Sequence, residues 1–272
     1  MQTPSTPVTC PITGAPMRQV FTHRVLGRHD VGYYYSDESG LLRTEKPYWL
    51  DEAYQDAIGD TDTGVVTRNI NNSVMLDAVV SALGLQDGRF LDLAGGYGLL
   101  SRLMRDKGYD CYTTDKYCAN LFARAFEPAA GFRADALFAF EVLEHLEDPL
   151  AFLADAFAAR GCRTIVFSTQ TFSGGIPPAD WWYYSFEGGQ HIAFYQPRTL
   201  ALLAERLRCE YLMLNAGLHV ITDRPLGRFA RFVLTKGTPR RWYGALVRRR
   251  RRGRSLTWQD HLLMKERMHR GG

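Results

Sequence analysis

The chain has 272 residues, 46% of them hydrophobic, and a formal net charge of +4, which is enough for a full core in one α/β domain with additions or in two small domains. No apolar run approaches the roughly 20 residues that a membrane-spanning helix needs, and the sequence begins without the basic and apolar regions of a secretory signal. Five scattered cysteines form no disulfide framework, which favours a reducing compartment and predicts a cytoplasmic protein.

Residues 1–47 are predicted to form a small β-rich segment with the layout of a degenerate zinc ribbon. Two turns of the form C-x-x-C-G would carry the four ligands of a ribbon, and those positions hold Cys10, Thr13, Ser36 and Ser39. Neutral hydroxyls bind zinc poorly, and a structural zinc site needs four good ligands. We therefore predict no metal in this chain. Turn residues of an ordinary β-hairpin are the alternative interpretation.

The next predicted unit is a helical cap over residues 48–84. Its clearest element is an amphipathic stretch from Val74 to Leu83, which ends at Gly84. Glycine after the last apolar residue of a periodic run is a typical helix stop signal.

A nucleotide-binding corner is predicted between Phe90 and Asp115. An apolar strand stops at Asp92, a glycine-dense turn follows, and a helical pattern resumes. Gly96 and Gly98 let the backbone pass close to a ligand, and the helix amino terminus offers unpaired amides. Asp115, after the next strand, can accept both hydroxyls of a ribose. The dinucleotide pattern G-x-G-x-x-G has only two of its three glycines here, so it is a weak match.

The pattern D-x-G-x-G-x-G fits better, with Ala94 in place of its first glycine. Further along stand Phe140-Glu-Val-Leu-Glu-His-Leu146, Asp180-Trp-Trp-Tyr-Tyr184 and a Gly-Gln-His segment that ends at His191. With these motifs the chain resembles class I S-adenosylmethionine (SAM)-dependent methyltransferases, within them a bacterial branch often assigned to glycan or secondary-metabolite pathways. The resemblance covers roughly residues 10–235, and it implies SAM as the cofactor.

The resemblance also implies which residues bind the cofactor. They are Asp92, Ala94, Gly95, Gly96, Gly98, Asp115, Lys116, Phe140 and Glu141. In such enzymes a cap packs over the cofactor, so Arg68 is expected to pair with the SAM carboxylate, or else to be a surface arginine that steadies a loop. Relatives usually have a further strand, ending in an acid that binds adenine. Here only residues 131–135 remain of it, and we expect Asp135 to open the next strand instead.

From Phe90 onward, strands alternate with helices, which predicts a Rossmann-like, doubly wound, mostly parallel sheet with helices on both faces, in a domain spanning residues 85–235. The predicted elements are strand 90–93, helix 99–107, strand 110–114, helix 117–127, strand 136–140, helix 148–160 and strand 163–168. Ligands bind at the carboxyl ends of such strands, where the cofactor motifs fall.

An aromatic loop follows the last of these strands and is predicted to bind the substrate. Four adjacent rings are costly to leave in water, so they must pack on the body or on a ligand such as a sugar or a planar molecule. A lid that covers the sheet edge is the alternative. The predicted substrate-binding residues are Trp181, Trp182, Tyr183, Tyr184 and Gln190.

Two histidines are candidates for the catalytic base. Methyl transfer to a hydroxyl is a displacement by a poor nucleophile, so a base that takes the proton as the bond forms accelerates it, and histidine has a suitable pKa. His191, in a loop after two glycines, is the first candidate and His145 the second. Glu144 would orient a histidine or bind substrate hydroxyls. A structural hydrogen bond is the alternative role for each histidine.

The last segment, residues 236–272, is a basic tail. It holds twelve Lys or Arg against two acids, a net charge of +10, which leaves about −6 for the rest of the chain. The run from Arg248 to Arg254 would attract nucleic acid or an anionic membrane surface, although we expect a solvated extension. Apolar positions from Leu256 to Met268 would alternatively form a docking helix.

Together these features predict a SAM-dependent methyltransferase that acts on a small hydroxylated acceptor such as a sugar, a glycan precursor or a secondary metabolite. An RNA methyltransferase is the second hypothesis, suggested by the tail and opposed by the acidic body. A non-catalytic SAM-binding protein is the third, opposed by the intact Asp115 and the intact segment from Glu141 to His145. The acceptor atom and the oligomeric state are left open by the sequence.

Overall fold

The computed structural model describes residues 8–54 and 62–270. These residues form ten strands and eight α-helices. The strands are β1 Arg18–Val25, β2 His29–Tyr35, β3 Leu42–Thr44, β4 Arg89–Leu93, β5 Asp110–Thr114, β6 Ala136–Ala139, β7 Thr164–Ser168, β8 Ala193–Phe194, β9 Glu210–Asn215 and β10 Leu218–Thr222. The helices are α1 Leu50–Ala53, α2 Val65–Ala82, α3 Leu99–Asp106, α4 Pro149–Arg160, α5 Pro197–Arg206, α6 Arg228–Thr235, α7 Gly237–Arg250 and α8 Thr257–Arg270.

The chain divides into two compact units, each assembled from three separate stretches. The first comprises Met1–Thr61, Glu141–Phe157 and Phe167–Asp223, and the second comprises Asp62–Phe140, Ala158–Val166 and Arg224–Gly272. Each unit therefore combines segments that are distant in the chain.

The predicted parallel sheet is confirmed. Six strands have the order β5-β4-β6-β7-β10-β9, and β4 pairs in parallel with both β5 and β6. Phe90 and Leu91 of β4 are fully buried, as expected for a parallel strand covered on both faces. The antiparallel hairpin β9 and β10 adds an edge that the sequence reasoning did not include.

A second sheet, in the first unit, is antiparallel with the order β1-β2-β3-β8. Strands β1 and β2 form a hairpin in which Arg18 pairs with Tyr35 and Val25 with His29, so the predicted β-rich segment is present. The thiol of Cys10 lies 3.3 Å from the hydroxyl of Ser39. The two turns of the proposed ribbon are thus brought together, while their origin in a zinc ribbon stays a hypothesis.

The predicted helix 117–127 is wrong, because this stretch forms turns without a helix. Side chains there satisfy backbone groups that a helix would use. Asp115 accepts the N–H groups of Tyr117 and Cys118, and Asn120 bonds both the N–H and the C=O of Ala123. Such local bonds compete with helix formation. The expectation that a strand is missing before β6 is confirmed, since residues 115–135 contain none.

The expectation of a solvated tail is also wrong. Three helices, α6 to α8, span most of residues 228–270 within the second unit. Helix α7 packs on α2, where Arg248 pairs with Asp77 at 3.4 Å, and the N–H of Leu256 donates to the carbonyl of Arg105. The segment is therefore helical, as the docking-helix alternative expected, but the apolar positions Trp258, Leu262 and Met268 are exposed, and α8 contacts α3 through Asp260. Among the described residues, no helix is long and apolar enough to cross a membrane.

Candidate functional site

The glycine-rich loop after β4 has the backbone shape that close approach to a ligand requires. Gly96 and Gly98 have positive φ angles of 56° and 82°, and a Cβ on Gly96 would meet no atom within 4 Å. Gly95 has no such room, because a Cβ there would clash with the Thr113 hydroxyl and lie 2.5 Å from Asp92 Oδ2. Ala94 adopts φ 51°, a conformation that favours glycine, which explains why glycine is the usual residue of this pattern.

The side chain of Asp115 accepts a hydrogen bond from the backbone of this loop. Its Oδ2 accepts the N–H of Gly96 at 2.9 Å, while Oδ1 accepts the N–H groups of Tyr117 and Cys118 at 2.7 and 2.8 Å. Each carboxylate oxygen has a further lone pair, so the side chain can still accept ribose hydroxyls. Burial, and then the nearby Asp115, raises the pKa of Asp92 well above its ordinary value. Asp92 lies beneath the loop and is nearly inaccessible.

Helix α3 begins directly after the loop. Its N-cap is Gly98, and no side chain caps it, so its first amides are available to a ligand. Lys116 is exposed, and its ammonium lies 5.0 Å from the centre of the Tyr117 ring. The open glycine face, the uncapped helix and Asp115 together fit a nucleoside ligand with a polar tail, whereas contact of the buried Asp92 with the cofactor stays a prediction.

Arg68, on α2, was predicted either to bind the cofactor carboxylate or to steady a loop. Its guanidinium donates two hydrogen bonds to Asp62, at 2.7 and 2.5 Å. This bidentate ion pair is the loop-steadying role. Pairing with a cofactor carboxylate stays a prediction, and it would have to displace or share Asp62.

Phe140 and Glu141 follow β6, at the carboxyl end of the sheet. Phe140 is half-buried, and Glu141 has a positive φ of 54°, which is costly for a residue with a side chain. The N–H of Glu141 donates to the hydroxyl of Ser168 at 2.8 Å, and that hydroxyl donates to the Glu141 carboxylate. The sequence predicted Ser168 at the carboxyl end of a strand, on the ligand-binding edge of the sheet, but gave it no role in the site.

Glu144, His145 and His191 lie together in the first unit. One ligand atom from each, a carboxylate oxygen or a ring nitrogen, lies within 4.8 Å of the others. Glu144 and His145 belong to a 3-10 turn after β6, and His191 lies just before β8. The N–H of Ile192 donates to the carbonyl of Glu144 at 2.8 Å and fixes the two segments to each other.

Backbone carbonyls orient both imidazoles of this cluster. Nδ1 of His145 lies 3.0 Å from the carbonyl oxygen of Gln190, and Nδ1 of His191 lies 2.7 Å from that of Tyr183. A carbonyl can only accept, so each Nδ1 carries a hydrogen and each Nε2 keeps its lone pair. Burial, and then the neighbouring His191, lowers the pKa of His145 to about 3, so its ring is neutral at neutral pH.

Glu144 is fully buried and is bonded at one oxygen only. The Tyr183 hydroxyl donates to Oε1 at 2.7 Å, whereas Oε2 is a buried oxygen without a hydrogen-bond partner. Burial raises the pKa of Glu144, against the lowering influence of His191 and of the Tyr183 and Thr169 hydroxyls. A buried carboxylate oxygen without a hydrogen-bond donor lowers the stability of the fold unless a ligand binds it.

The aromatic loop is mostly part of the core. Tyr183 and Tyr184 are 2% and 1% exposed, and their hydroxyls donate to Glu144 and to the carbonyl of Pro177. Trp181 is half-buried against Tyr184, with ring centroids 5.2 Å apart. A substrate cannot stack on the buried rings of Tyr183 and Tyr184, whereas substrate binding by the half-buried Trp181 stays a prediction. Trp182, at 72% exposed, is the ring of the four that remains open to a ligand.

Gln190 was also predicted to bind substrate. Its side-chain amide donates to the carbonyl of Ala53 at 2.7 Å, and its own carbonyl accepts from His145. Gln190 thus positions His145. A direct contact with substrate stays a prediction.

Comparisons with known proteins agree with this architecture. Residues 69–212 match the profile of a family described as "Methyltransferase domain". No curated protein matches the sequence significantly.

Solved structures resemble the chain more distantly. Magnesium protoporphyrin IX methyltransferase from Synechocystis PCC 6803, with bound SAH, is 15% identical over 64% of this chain and 94% of its own, with a TM-score of 0.43. The Burkholderia thailandensis 1,6-didemethyltoxoflavin-N1-methyltransferase is 15% identical over 75% of this chain and 100% of its own, with a TM-score of 0.46. The mitomycin 7-O-methyltransferase is 15% identical over 64% of this chain and 59% of its own, with a TM-score of 0.41. At this level of similarity, the substrates of these proteins say nothing about the substrate of this chain.

Proposed function

The chain belongs to the family of the methyltransferase domain, and from this premise we propose that it transfers a methyl group from SAM to a hydroxyl of a small acceptor, such as a sugar, a glycan precursor or a secondary metabolite. The transfer forms an O–CH₃ bond and breaks the S–CH₃ bond of the sulfonium, whose electron pair stays on sulfur. The proton of the acceptor hydroxyl has to leave as the new bond forms.

The cofactor is bound by the loop that Asp115 holds. The ribose hydroxyls of SAM donate to the Asp115 carboxylate. SAM also lies against the backbone of Gly96, in space that a side chain at this position would fill. The available support is the open face at Gly96 and the uncapped amino terminus of α3. Phe140, Glu141 and Lys116 complete the proposed cofactor site, and apolar packing and backbone hold the adenine.

The observation that carries hydroxyl methylation is the tautomer of the two histidines. A general base needs a lone pair, and in both imidazoles Nδ1–H is fixed by a carbonyl so that Nε2 is the basic atom. His191 is the proposed base. With a pKa of about 3, His145 takes a proton poorly at neutral pH and serves to position its neighbours. Trp182 is the proposed stacking surface for the acceptor.

The test is SAM turnover with a panel of hydroxylated acceptors, read as S-adenosylhomocysteine formation. His191→Ala is expected to lower kcat by about 10²- to 10⁴-fold with SAM affinity unchanged, because the lost group acts only as charge develops in the transition state. His23→Ala, a histidine elsewhere in the first unit, is the control and should leave kcat unchanged. Methylation of a nitrogen or carbon acceptor alone, with His191→Ala as active as wild type, would overturn the proposal.

A second proposal concerns the basic helices. The sequence from Arg224 to Gln259 contains no acid, and α6 and α7 expose Phe229, Phe232 and Trp242, the last at 76%. Aromatic side chains among arginines suit an anionic membrane surface, where rings enter the interface and guanidinium groups meet the headgroups. The arginine side chains from Arg248 to Arg254 are less available to an anionic partner than the sequence implied.

In that run, Arg251 donates to the carbonyls of Gln86 and Gly108, and Arg248 and Arg254 pair with acids of the second unit. Sedimentation with phosphatidylcholine vesicles, with and without phosphatidylserine, tests the membrane proposal. Binding only to the anionic vesicles, lost in the double variant Phe232→Ser, Trp242→Ser, is expected. Salt-sensitive binding to RNA without vesicle binding would instead favour the nucleic-acid hypothesis.

A further inference from the structure

The cluster of Glu144, His145 and His191 brings one carboxylate and two imidazoles close enough together to share one ligand. Nε2 of each imidazole has a lone pair because the other ring nitrogen donates to a backbone carbonyl. The third donor is Glu144 Oε2, which is buried and has no hydrogen-bond partner. The ligand atoms of the three side chains lie within 4.8 Å of one another, a spacing that one bound ion can bridge.

The surroundings of the three side chains are those of metal ligands. Histidines that bind metals almost always donate their second N–H to a carbonyl, a carboxylate or water, and ligating carboxylates are themselves hydrogen-bonded. Here Gln190 and Tyr183 supply the carbonyls, and the Tyr183 hydroxyl holds Glu144 through Oε1. Without a cation, Oε2 is a buried oxygen with no donor, a costly arrangement for an ionised carboxylate.

We propose that Glu144 Oε2, His145 Nε2 and His191 Nε2 bind one divalent transition-metal cation. Two imidazoles and one carboxylate suit Mn²⁺, Fe²⁺, Co²⁺ or Zn²⁺ better than Mg²⁺ or Ca²⁺, which prefer oxygen ligands. Three protein ligands leave coordination positions open. This proposal departs from the prediction, drawn from the sequence, that the chain holds no metal, and the experiment below decides between the two.

The role of the cation rests on the proposed function. An acceptor hydroxyl at an open coordination position becomes more acidic, so it loses its proton to solvent water as the methyl group arrives. His191 Nε2 is then a ligand and does not take the proton. A cation and the acceptor proton compete for the same lone pair, so His191 acts as the base of the proposed function in the cation-free protein, and the cation takes over activation of the hydroxyl when it is bound.

The experiment uses Co²⁺ and untagged full-length protein that has been treated with EDTA and dialysed. Calorimetry and the visible absorption of Co²⁺ are expected to show one equivalent per chain. Loss of an outer partner alone costs about 10- to 100-fold in metal affinity, so that range is expected for Tyr183→Phe and a loss beyond about 100-fold for His191→Ala or Glu144→Gln. His261→Ala, an exposed histidine of α8, is the matched control and should bind as wild type.

Three outcomes would overturn the cation site. The first is absence of stoichiometric Co²⁺ binding by folded wild-type protein, which needs no variant to fold. The second is binding that survives both Glu144→Gln and His191→Ala. The third is a sulfur-to-cobalt absorption band that disappears in Cys10→Ser, which would move the metal to the two turns of the first unit.

SAM binding, measured on the same EDTA-treated protein, separates this proposal from the proposed function. Full SAM affinity and full turnover without a cation would refute the proposed role of the cation while leaving methyl transfer in place. Failure to bind SAM would refute the proposed function, and Co²⁺ binding would still decide the cation site.

Discussion

Arg105 and Asp260 form a buried bidentate ion pair, with Nε 2.9 Å from Oδ2 and Nη2 2.7 Å from Oδ1. The guanidinium also lies 3.6 Å from the centre of the Phe126 ring. Arg105 belongs to α3, which begins at the cofactor loop, and Asp260 belongs to α8. The basic carboxyl-terminal segment is thereby part of the folded body of the second unit.

Asp260→Ala is expected to lower the free energy of unfolding by about 3 kcal/mol, because the buried guanidinium of Arg105 loses its bidentate partner and is left with the partly exposed Asp110. Urea denaturation measures this. Asp30→Ala, which breaks the exposed pair with Arg24, is the control and should cost less than about 1 kcal/mol. Equal effects of the two variants would show that α8 does not contribute to stability as inferred.

Asp115→Ala is expected to weaken SAM binding by about 2 kcal/mol or more, since charge-assisted hydrogen bonds to the ribose are lost. Calorimetry gives the affinity. Asp106→Ala, at the far end of α3, is the control for a general effect on the second unit. Unchanged SAM affinity in Asp115→Ala, or tight binding of NAD by the wild type, would contradict the cofactor assignment.

Two substitutions in the glycine loop should act in opposite directions. Ala94→Gly is expected to stabilise the fold by about 1 kcal/mol, because Ala94 has a positive φ that disfavours a side chain. Gly95→Ala is expected to destabilise it by about 1–3 kcal/mol, since the new Cβ would clash with the Thr113 hydroxyl. Thermal unfolding of both variants beside wild type is the measurement, and the same sign for both would contradict the loop geometry.

The stability of the protein is expected to fall on acidification in part because of His219. This ring is fully buried, and burial lowers its pKa from 6.5 to about 4. Between those values the unfolded chain binds a proton that the folded chain does not, so the His219 contribution is complete above pH 6.5 and is lost as the pH falls towards 4.

Urea midpoints measured from neutral pH downward test this, with His219→Gln expected to show a shallower loss over that interval. Its Nε2–H donates to the carbonyl of Thr169 and its Nδ1 accepts from the Tyr211 hydroxyl, so glutamine keeps a donor and an acceptor. His261→Gln should leave the slope unchanged. A His219→Gln slope equal to that of wild type would assign the acid sensitivity to other groups.

The sequence alone predicted the parallel sheet and the place of the cofactor loop. Both depend on local signals, namely short apolar runs and glycines next to an acid, which need no knowledge of distant partners. Residues 117–127 show the limit of such signals. They have a helical pattern, yet Asp115 and Asn120 bond the backbone and the helix does not form.

Only the tertiary structure decided the roles of the aromatic loop, the arginine-rich segment and the histidines. Burial of Tyr183 and Tyr184 depends on strands far away in the chain, and the pairing of Arg105 with Asp260 joins two helices that are equally distant in sequence. The sequence marked His145 and His191 as chemically active but could not show that carbonyls of Gln190 and Tyr183 fix their tautomers. Residue type and local pattern are properties of the chain, whereas desolvation and hydrogen-bond geometry arise when distant segments meet.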